Sequence, residues 1–154
     1  MKPEEEAKLK EILDTFMTDP NIRQMENYIQ HGSTTTLDHC MAVARVSFEI
    51  NHALHLHVDD VALIRTALLH DYYLYDWHKK GHPPLHGYHH ADAAADNAVR
   101  DFGINKVSEK AIRSHMWPLN ITRIPSSRLA WIITTADKLC STRETLARTA
   151  LRLR

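Results

Sequence analysis

Residues 61–71, VALIRTALLHD, place an apolar helical repeat directly before the dipeptide His70-Asp71. His70 continues the helical phase of Leu63 and Ala67, and the same repeat brings Asp71 to the apolar side of the helix. A buried imidazole or ionised carboxylate is costly unless it is paired or bound to a metal ion. The stretch therefore predicts a helix that carries metal ligands, or polar residues paired in the core, into the interior of the protein.

Other helical segments carry inward-facing polar residues of the same kinds. His39 is in phase with Val43 and Val46, while His115 and Asp137 each follow an apolar residue one helical turn earlier. A single histidine on an apolar face is more often a core residue bonded to a carbonyl. Because several segments each supply such a residue, we expect one shared metal site. Its candidate ligands are His39, His70, Asp71, His90, His115 and Asp137.

The donor types restrict the metal. The chain has twelve histidines but only two cysteines, Cys40 and Cys140, which lie inside helical patterns and are expected to be reduced core residues. Imidazole and carboxylate ligands accept iron, manganese, zinc, cobalt or nickel, so we expect one or two divalent ions without choosing among these metals. Asp71 is the candidate to bridge two ions, because a carboxylate has two oxygens and a histidine cannot bridge.

Length and charge exclude several classes of protein. The 154 residues suit one domain, and 44% hydrophobic with 25% charged residues is ordinary for a globular protein. A formal net charge of zero gives no broad electrostatic footprint for nucleic acid. No apolar stretch approaches membrane-spanning length, and the acidic N-terminus is unlike a signal peptide. We expect a cytoplasmic protein without nucleic-acid or membrane partners, and the oligomeric state stays open.

Helical periodicity continues from end to end, and no segment alternates convincingly over the length of a strand. With only four glycines in the chain, tight turns are few. The sequence predicts an all-α, single-domain bundle of about six or seven helices. Helices are expected over residues 3–19, 22–29, 36–57, 60–72 and 90–102, from a cap at Ser108 to Pro118, and from 127 past 137.

The stretch 73–90, YLYDWHKKGHPPLHGYHH, is predicted to be a loop, since it contains two of the four glycines and the only Pro-Pro pair. It begins beside the HD dipeptide, so we expect it to shape a substrate pocket. Its aromatic rings offer flat surfaces for a base or a sugar, although they could equally pin the loop to the helices. The candidate substrate-binding residues are Tyr75, Trp77, His78 and Tyr88.

The order His39, then His70-Asp71, then Asp137 within TTADK resembles the HD superfamily of metal-dependent phosphohydrolases, which has an all-helical fold. The resemblance covers about residues 30–145 of a single domain, 1–154, and leaves 1–30 as an N-terminal helical extension. The stretches LLHDYYLYDWH, LHGYHHADAA and SHMWPL are similar to a small group of stand-alone bacterial hydrolases within that superfamily.

The resemblance also implies a second metal position. In the branch with a larger site, a histidine that opens the next helix and another on the helix after it bind a second ion. His90 and His115 stand in those places, and His86 is the alternative to His90 because the loop has surplus histidines. The GYP signature of the cyclic dinucleotide phosphodiesterases is absent, which argues against that substrate.

As function, the resemblance implies hydrolysis of a small phosphate ester or a nucleotide by metal-activated water. Asp71 would bridge the ions, Lys138 would contact the phosphate because it adjoins Asp137, and His82 would act as the general acid. Two alternatives stay open. One is a di-iron oxygenase, since some members of the superfamily use the same ligands for oxidative cleavage. The other is a non-catalytic, metal-stabilised regulatory domain.

Overall fold

The computed structural model describes residues 1–81 and 84–152 and confirms the all-α, single-domain bundle. Within these residues the only strands form a small antiparallel hairpin, and one 3-10 turn, Gln24–Asn27, precedes it. The elements are α1 (Pro3–Met17), α2 (Pro20–Arg23), β1 (Ile29–His31), β2 (Thr34–Thr35), α3 (Thr36–Ala53), α4 (Asp60–Leu69), α5 (His86–Phe102), α6 (Lys106–Ser114) and α7 (Arg128–Arg152).

Helix α3 lies at the centre of the bundle and packs most extensively against α4 and α7. Helix α6 joins α5 to α7, so α3 to α7 enclose one continuous core. Phe48, Leu68 and Ile133 from three of these helices are fully buried. Removing one side chain of this size from water stabilises a fold by about 1.5–3 kcal/mol, so the apolar faces of these helices drive their association.

Helix ends follow the local sequence. The Asp59 carboxylate accepts the N–H of Ala62 (2.8 Å) and starts α4, and Gly103 ends α5 in the left-handed region with φ +57°, as predicted. The predicted cap at Ser108 is wrong. Asn105 caps α6 instead, because its side chain reaches two free N–H groups, while the buried Ser108 hydroxyl accepts a hydrogen bond from Thr66 (2.8 Å).

The helix predicted over 22–29 is also wrong. Helix α2 lasts one turn, and the chain then passes through the 3-10 turn into β1. Gly32, with φ +64°, makes the tight turn between the strands. Ile29 pairs with Thr35 and His31 pairs with Thr34, so Gln30 has no residue opposite it and forms a bulge.

The helices beside the predicted loop have different limits from those expected. Helix α4 ends at Leu69 with His70 as its C-cap, three residues before Tyr72. Tyr72 and Tyr73, which follow this end of the helix, are buried. Helix α5 begins at His86 rather than His90, directly after Leu85 in the left-handed region.

Helix α1 is attached to the bundle by apolar and charged contacts. Leu9 is buried in the core, the Arg45 guanidinium lies 2.6 Å from the Glu6 carboxylate, and the Lys8 ammonium lies 2.7 Å from Asp60. The N-terminal extension therefore packs on α3 and α4. Among the described residues, no helix combines the length and the apolar character needed to cross a membrane.

Candidate metal centre

Five helices bring buried histidines and aspartates to one point in the core. The side chains come from α3, the C-terminal ends of α4 and α6, the first turns of α5 and the middle of α7. Their donor atoms form three overlapping groups, and within each group these atoms lie within 4.8 Å of one another. The six predicted ligands all take part: His39, His70, Asp71, His90, His115 and Asp137.

The Asp71 carboxylate lies between two pairs of histidines. Its Oδ1 is 3.2 Å from Nε2 of His90 and 3.4 Å from Nε2 of His115. Its Oδ2 is 3.5 Å from Nε2 of His70 and 3.8 Å from Nε2 of His39. Each oxygen therefore faces a different pair, which is the arrangement that a bridging carboxylate requires.

Asp137 faces the second pair of histidines, His39 and His70. Its Oδ1 lies 3.2 Å from Nε2 of His39 and 3.8 Å from Nε2 of His70. We name the group of His39, His70, Asp137 and the Asp71 Oδ2 site A. The group of His90, His115 and the Asp71 Oδ1 is named site B. Site A offers four donor atoms and site B offers three, so both leave room for water or substrate around a divalent ion.

Three of the histidine rings are held by backbone carbonyls, which fixes the nitrogen that faces the site. His70 and His115 are the C-cap residues of α4 and α6, so carbonyls in the last turns of these helices lie within reach of a ring N–H. The donors are all Nδ1 atoms: His70 to Ala67 (2.7 Å), His90 to His86 (2.8 Å) and His115 to Ile112 (2.7 Å). In each neutral ring the Nε2 lone pair then faces the carboxylates.

His39 has a carboxylate in place of the carbonyl. Its Nδ1 lies 3.0 Å from Oε1 of Glu144, which follows Asp137 by seven residues and so lies on the same face of α7. Burial lowers the pKa of His39, but the hydrogen bonds with Asp137 and Glu144 outweigh burial and raise it to about 10. A carboxylate behind a ligand histidine orients the ring and strengthens it as a donor to metal.

The donor set fits a divalent cation. His70 Nε2 and Asp71 Oδ1 are buried and have no hydrogen-bond partner within the described part of the chain. Burial raises the pKa of Asp71 and of Asp137, yet the surrounding histidines hold both well below the usual range. Two ionised carboxylates in the core need positive charge beside them, and a metal ion would satisfy both the charges and the unpaired atoms.

The cysteines do not join this donor set. Cys40 and Cys140 are buried and form no disulfide within the described residues, which agrees with the reduced state expected for them. The Cys40 sulfur lies 3.8 Å from Nδ1 of His70, on the far side of the ring from site A. Burial raises the pKa of the Cys40 thiol, so the thiolate that a metal would need is disfavoured.

A cavity of about 280 Å³ adjoins the metal-binding side chains. Ligand residues from both sites form one part of its wall. The other residues that line it are Gln30, Trp77, His86, Gly87, Met116, Lys138 and Ser141. The beginning of the predicted loop therefore does reach the pocket, through Trp77.

His86 lies in the wall of this cavity. Its ring stacks on Trp77 with centroids 5.0 Å apart and on His90 with centroids 4.6 Å apart. Its Nδ1 is hydrogen bonded to the Tyr75 hydroxyl at 2.9 Å. Among the described residues, three groups of side chains could hold a metal ion, and His86 belongs to none of them. The structure therefore favours His90 over His86 as the ligand.

The remaining predicted substrate residues have different positions. His78 packs against Trp77 with ring centroids 3.9 Å apart, and Tyr75 contacts the cavity indirectly through His86. Tyr88 is 46% exposed and is not among the residues that line the cavity. His82, the predicted general acid, lies outside the described residues.

Lys138 places a positive charge at the edge of site A. Its ammonium nitrogen lies 2.6 Å from Oδ2 of Asp137 and donates to the His115 carbonyl at 3.1 Å. The Met116 sulfur is 3.8 Å away. The side chain is only partly buried and lines the cavity, so its ammonium group adds positive charge to the cavity wall beside site A.

Three side chains that form hydrogen bonds with the candidate ligands are not among the residues predicted from the sequence. Gln30 donates its amide N–H to Oδ2 of Asp71 at 2.7 Å, and Ser141 donates its hydroxyl to Oδ1 of Asp137 at 3.1 Å. Ser141 and Glu144 follow Asp137 by four and seven residues on α7, so helical spacing could have identified them. No comparable periodic signal marks Gln30, which belongs to the short hairpin.

Comparisons with protein-family models, with curated proteins and with solved structures found no match to this chain. The likeness to the HD superfamily rests on the order of His39, His70-Asp71 and Asp137 in the sequence.

Proposed function

We propose that this chain is a hydrolase of small phosphate esters that uses two divalent ions, one in site A and one in site B. The observation that carries the proposal is the position of Asp71, whose two carboxylate oxygens face two separate pairs of histidines at 3.2–3.8 Å. Two ions held by these residues would supply the two-metal chemistry that phosphatases and nucleases use for displacement at phosphorus. The resemblance to the HD superfamily points to the same chemistry.

The ions would supply the nucleophile and the charge. When bound, they would lower the pKa of a coordinated water toward neutrality and offset the negative charge of the phosphoryl oxygens. The protein would hold them through His39, His70 and Asp137 at site A, and through His90 and His115 at site B. The carbonyl and Glu144 contacts of these rings would keep each Nε2 lone pair directed inward.

The cavity wall would bind the substrate. The Lys138 ammonium would contact a phosphoryl oxygen while it keeps its hydrogen bond to Asp137. Trp77 and the stacked His86 would pack against the alcohol portion of the ester. Water would attack phosphorus as the bond from phosphorus to the leaving oxygen breaks, and His82 stays the predicted donor of a proton to that oxygen.

The size of the cavity supports a small substrate. Its volume of about 280 Å³ lies just below the range of about 300–1,000 Å³ that is typical of small-molecule sites. A sugar phosphate or a mononucleotide suits this volume better than a larger dinucleotide. Among the described residues that line the cavity, Lys138 alone is a lysine or arginine. A single positive side chain suits one phosphate group better than a polyphosphate chain.

The test is phosphate release by metal-stripped protein after addition of manganese, cobalt, nickel, zinc or iron. The substrates would be small phosphate monoesters, diesters and nucleotides. Phosphate release by the wild type should disappear in Asp71→Asn, because that change removes the charged bridge. Asp14→Asn, on the exposed face of α1, is the matched control and should retain full activity.

Oxygen uptake by the iron form separates the alternatives. Oxygen consumption with no phosphate released from any ester would contradict the hydrolase and favour a di-iron oxygenase. Bound ions with neither activity would contradict both and favour a metal-stabilised regulatory domain.

A further inference from the structure

Gln30 connects the bridging carboxylate to a buried hydroxyl network. Its amide nitrogen lies 2.7 Å from Oδ2 of Asp71, and its amide oxygen lies 2.5 Å from the Tyr73 hydroxyl. The Thr36 hydroxyl lies 3.4 Å from the same amide oxygen and 3.3 Å from the Tyr73 hydroxyl. All of these side chains are buried, so water does not compete for their hydrogen bonds.

The chemistry of the partners fixes the orientation of this amide. An ionised carboxylate oxygen can only accept hydrogen bonds, so the NH₂ group of Gln30 must face Asp71. The amide oxygen must then face Tyr73 and Thr36, both of which can donate a hydroxyl hydrogen. Gln30 is consequently held at both ends and can act as a fixed donor to Asp71.

The backbone directs the Gln30 side chain toward the metal centre. Gln30 is the bulged residue of β1, because its neighbours Ile29 and His31 pair with the consecutive residues Thr35 and Thr34. A bulge redirects the side chain of the extra residue, and bulges are frequent beside active sites. The hairpin thus contributes one side chain to a centre that is otherwise built from helices.

We propose that Gln30 is a positioning residue that holds Asp71 in its bridging orientation. Binding of the second ion, that of site B, would then depend on Gln30. Rotation about the last bond of an aspartate side chain is soft, and a carboxylate that is free to turn can direct both oxygens toward one ion. The hydrogen bond to Oδ2 opposes this rotation and leaves Oδ1 toward His90 and His115. The inference rests on the proposed two-ion centre but not on phosphate hydrolysis.

A structural role would give a different pattern. If Gln30 served only to attach the hairpin to the core, loss of the Tyr73 contact would matter as much as loss of the Asp71 contact. Gln30→Met preserves the length of the side chain but removes both contacts. Tyr73→Phe removes one hydroxyl but leaves the Thr36 hydroxyl on the amide oxygen and the amide N–H beside Asp71, so this variant is the matched control.

The experiment is a manganese titration of metal-stripped wild type, Gln30→Met and Tyr73→Phe, followed by dialysis and electron paramagnetic resonance. The wild type should bind two ions and give the spectrum of an exchange-coupled pair. In Gln30→Met the second ion should bind about 10–100-fold more weakly, as is typical when a residue that orients a ligand is lost. Its spectrum should be that of isolated manganese, whereas Tyr73→Phe should retain the coupled pair.

The other outcomes also test the role of Gln30 and the two-ion centre. Gln30→Met with both affinities within about twofold of the wild type would overturn the role of Gln30 and leave the two-ion centre intact. A wild type that never shows a coupled pair would overturn the two-ion centre and this inference together. If Gln30→Met fails to fold, Gln30→Asn replaces it, because that amide is one methylene too short to reach Asp71.

Discussion

The Nε2 atoms of His90 and His115 lie only 3.0 Å apart. Each ring has already donated its Nδ1 hydrogen to a backbone carbonyl, so two nitrogen lone pairs face each other when both rings are neutral. Burial lowers the pKa of His115, whereas the Asp71 carboxylate outweighs burial and raises the pKa of His90, so a proton that relieved this contact in the metal-free protein would be favoured on His90. A cation between the two nitrogens would relieve it in the loaded protein, so protons and metal compete for site B.

Replacement of His115 with alanine should remove the ion of site B and leave that of site A. Site B would retain only His90 and one oxygen of Asp71, which is too few donors for tight binding. Elemental analysis after dialysis should find two ions per chain in the wild type and one in His115→Ala. His89→Ala, at an exposed position beside His90, should keep both. Two ions in His115→Ala would contradict the assignment of site B.

Glu144→Gln should weaken the ion of site A about 10–100-fold, because the neutral amide is a poorer partner for Nδ1 of His39. Competition with a chromophoric chelator would measure the affinity, and the affinity of site B should change little. Arg143→Gln changes the exposed neighbour of Glu144 and serves as the control. Equal weakening in both variants would mean that any substitution in this part of α7 perturbs site A, and it would contradict the role given to the contact between Glu144 and His39.

Trp77→Ala should raise KM for the phosphate ester several-fold while metal content and kcat stay close to those of the wild type. The reason is that Trp77 lines the cavity through its stack with His86 but belongs to neither metal site. Steady-state kinetics and elemental analysis would measure both effects. Trp131→Ala, on the outer face of α7, is the control. A large loss of stability with normal kinetics in the folded protein would show instead that Trp77 only anchors the loop.

Asp60 should make stability depend on pH in the acid range. Burial raises the pKa of Asp60, but hydrogen bonds from Lys8 and His52 outweigh burial and lower it. The stabilisation is therefore present above the unfolded pKa of about 4 and is lost as pH falls through the lower folded value. Urea unfolding of metal-free protein should show the free energy of unfolding decreasing below about pH 4.

The variant Asp60→Asn should reduce that decrease and should cost about 1–3 kcal/mol at neutral pH, because it leaves the buried Asn51 amide and the partly buried His52 ring without a charged acceptor. Asp14→Asn removes the carboxylate of an exposed pair with Lys10 and should leave the pH dependence unchanged. An Asp60→Asn profile parallel to that of the wild type would contradict the role given to this carboxylate.

Helical periodicity was sufficient to predict which polar residues face inward. His39, His70 and Asp137 lie on apolar stripes in the sequence, and the structure brings them together because those stripes form the core. Periodicity favoured His90, which is in phase with Ala94 and Ala98, but it left His86 as an alternative because His86 lies on the same face of α5, four residues earlier. The stack of His86 on Trp77 separates them, and that contact depends on how the preceding loop folds.

The hairpin before α3 could not be predicted from the sequence, for a different physical reason. Residues 22–29 contain apolar residues at helical spacing, but tertiary contacts override this weak local preference. The Tyr28 carbonyl accepts the N–H of Thr36 at 2.8 Å, which closes the hairpin and ends the helical path. Because Gln30 reaches Asp71 only after this hairpin has formed, no local pattern in the sequence could identify it as a neighbour of the metal centre.

The bulge at Gln30 makes the number of residues in the hairpin a constraint on the site. Strand side chains alternate between faces, so an insertion or deletion of one residue between Ile29 and Thr35 would reverse the direction of those that follow. Deleting one residue from β1 could even restore regular pairing, and the hairpin would then be better formed while Asp71 lost its donor. Relatives of this protein should therefore tolerate substitutions at Ile29 and Thr34 more readily than any change in the length of this segment.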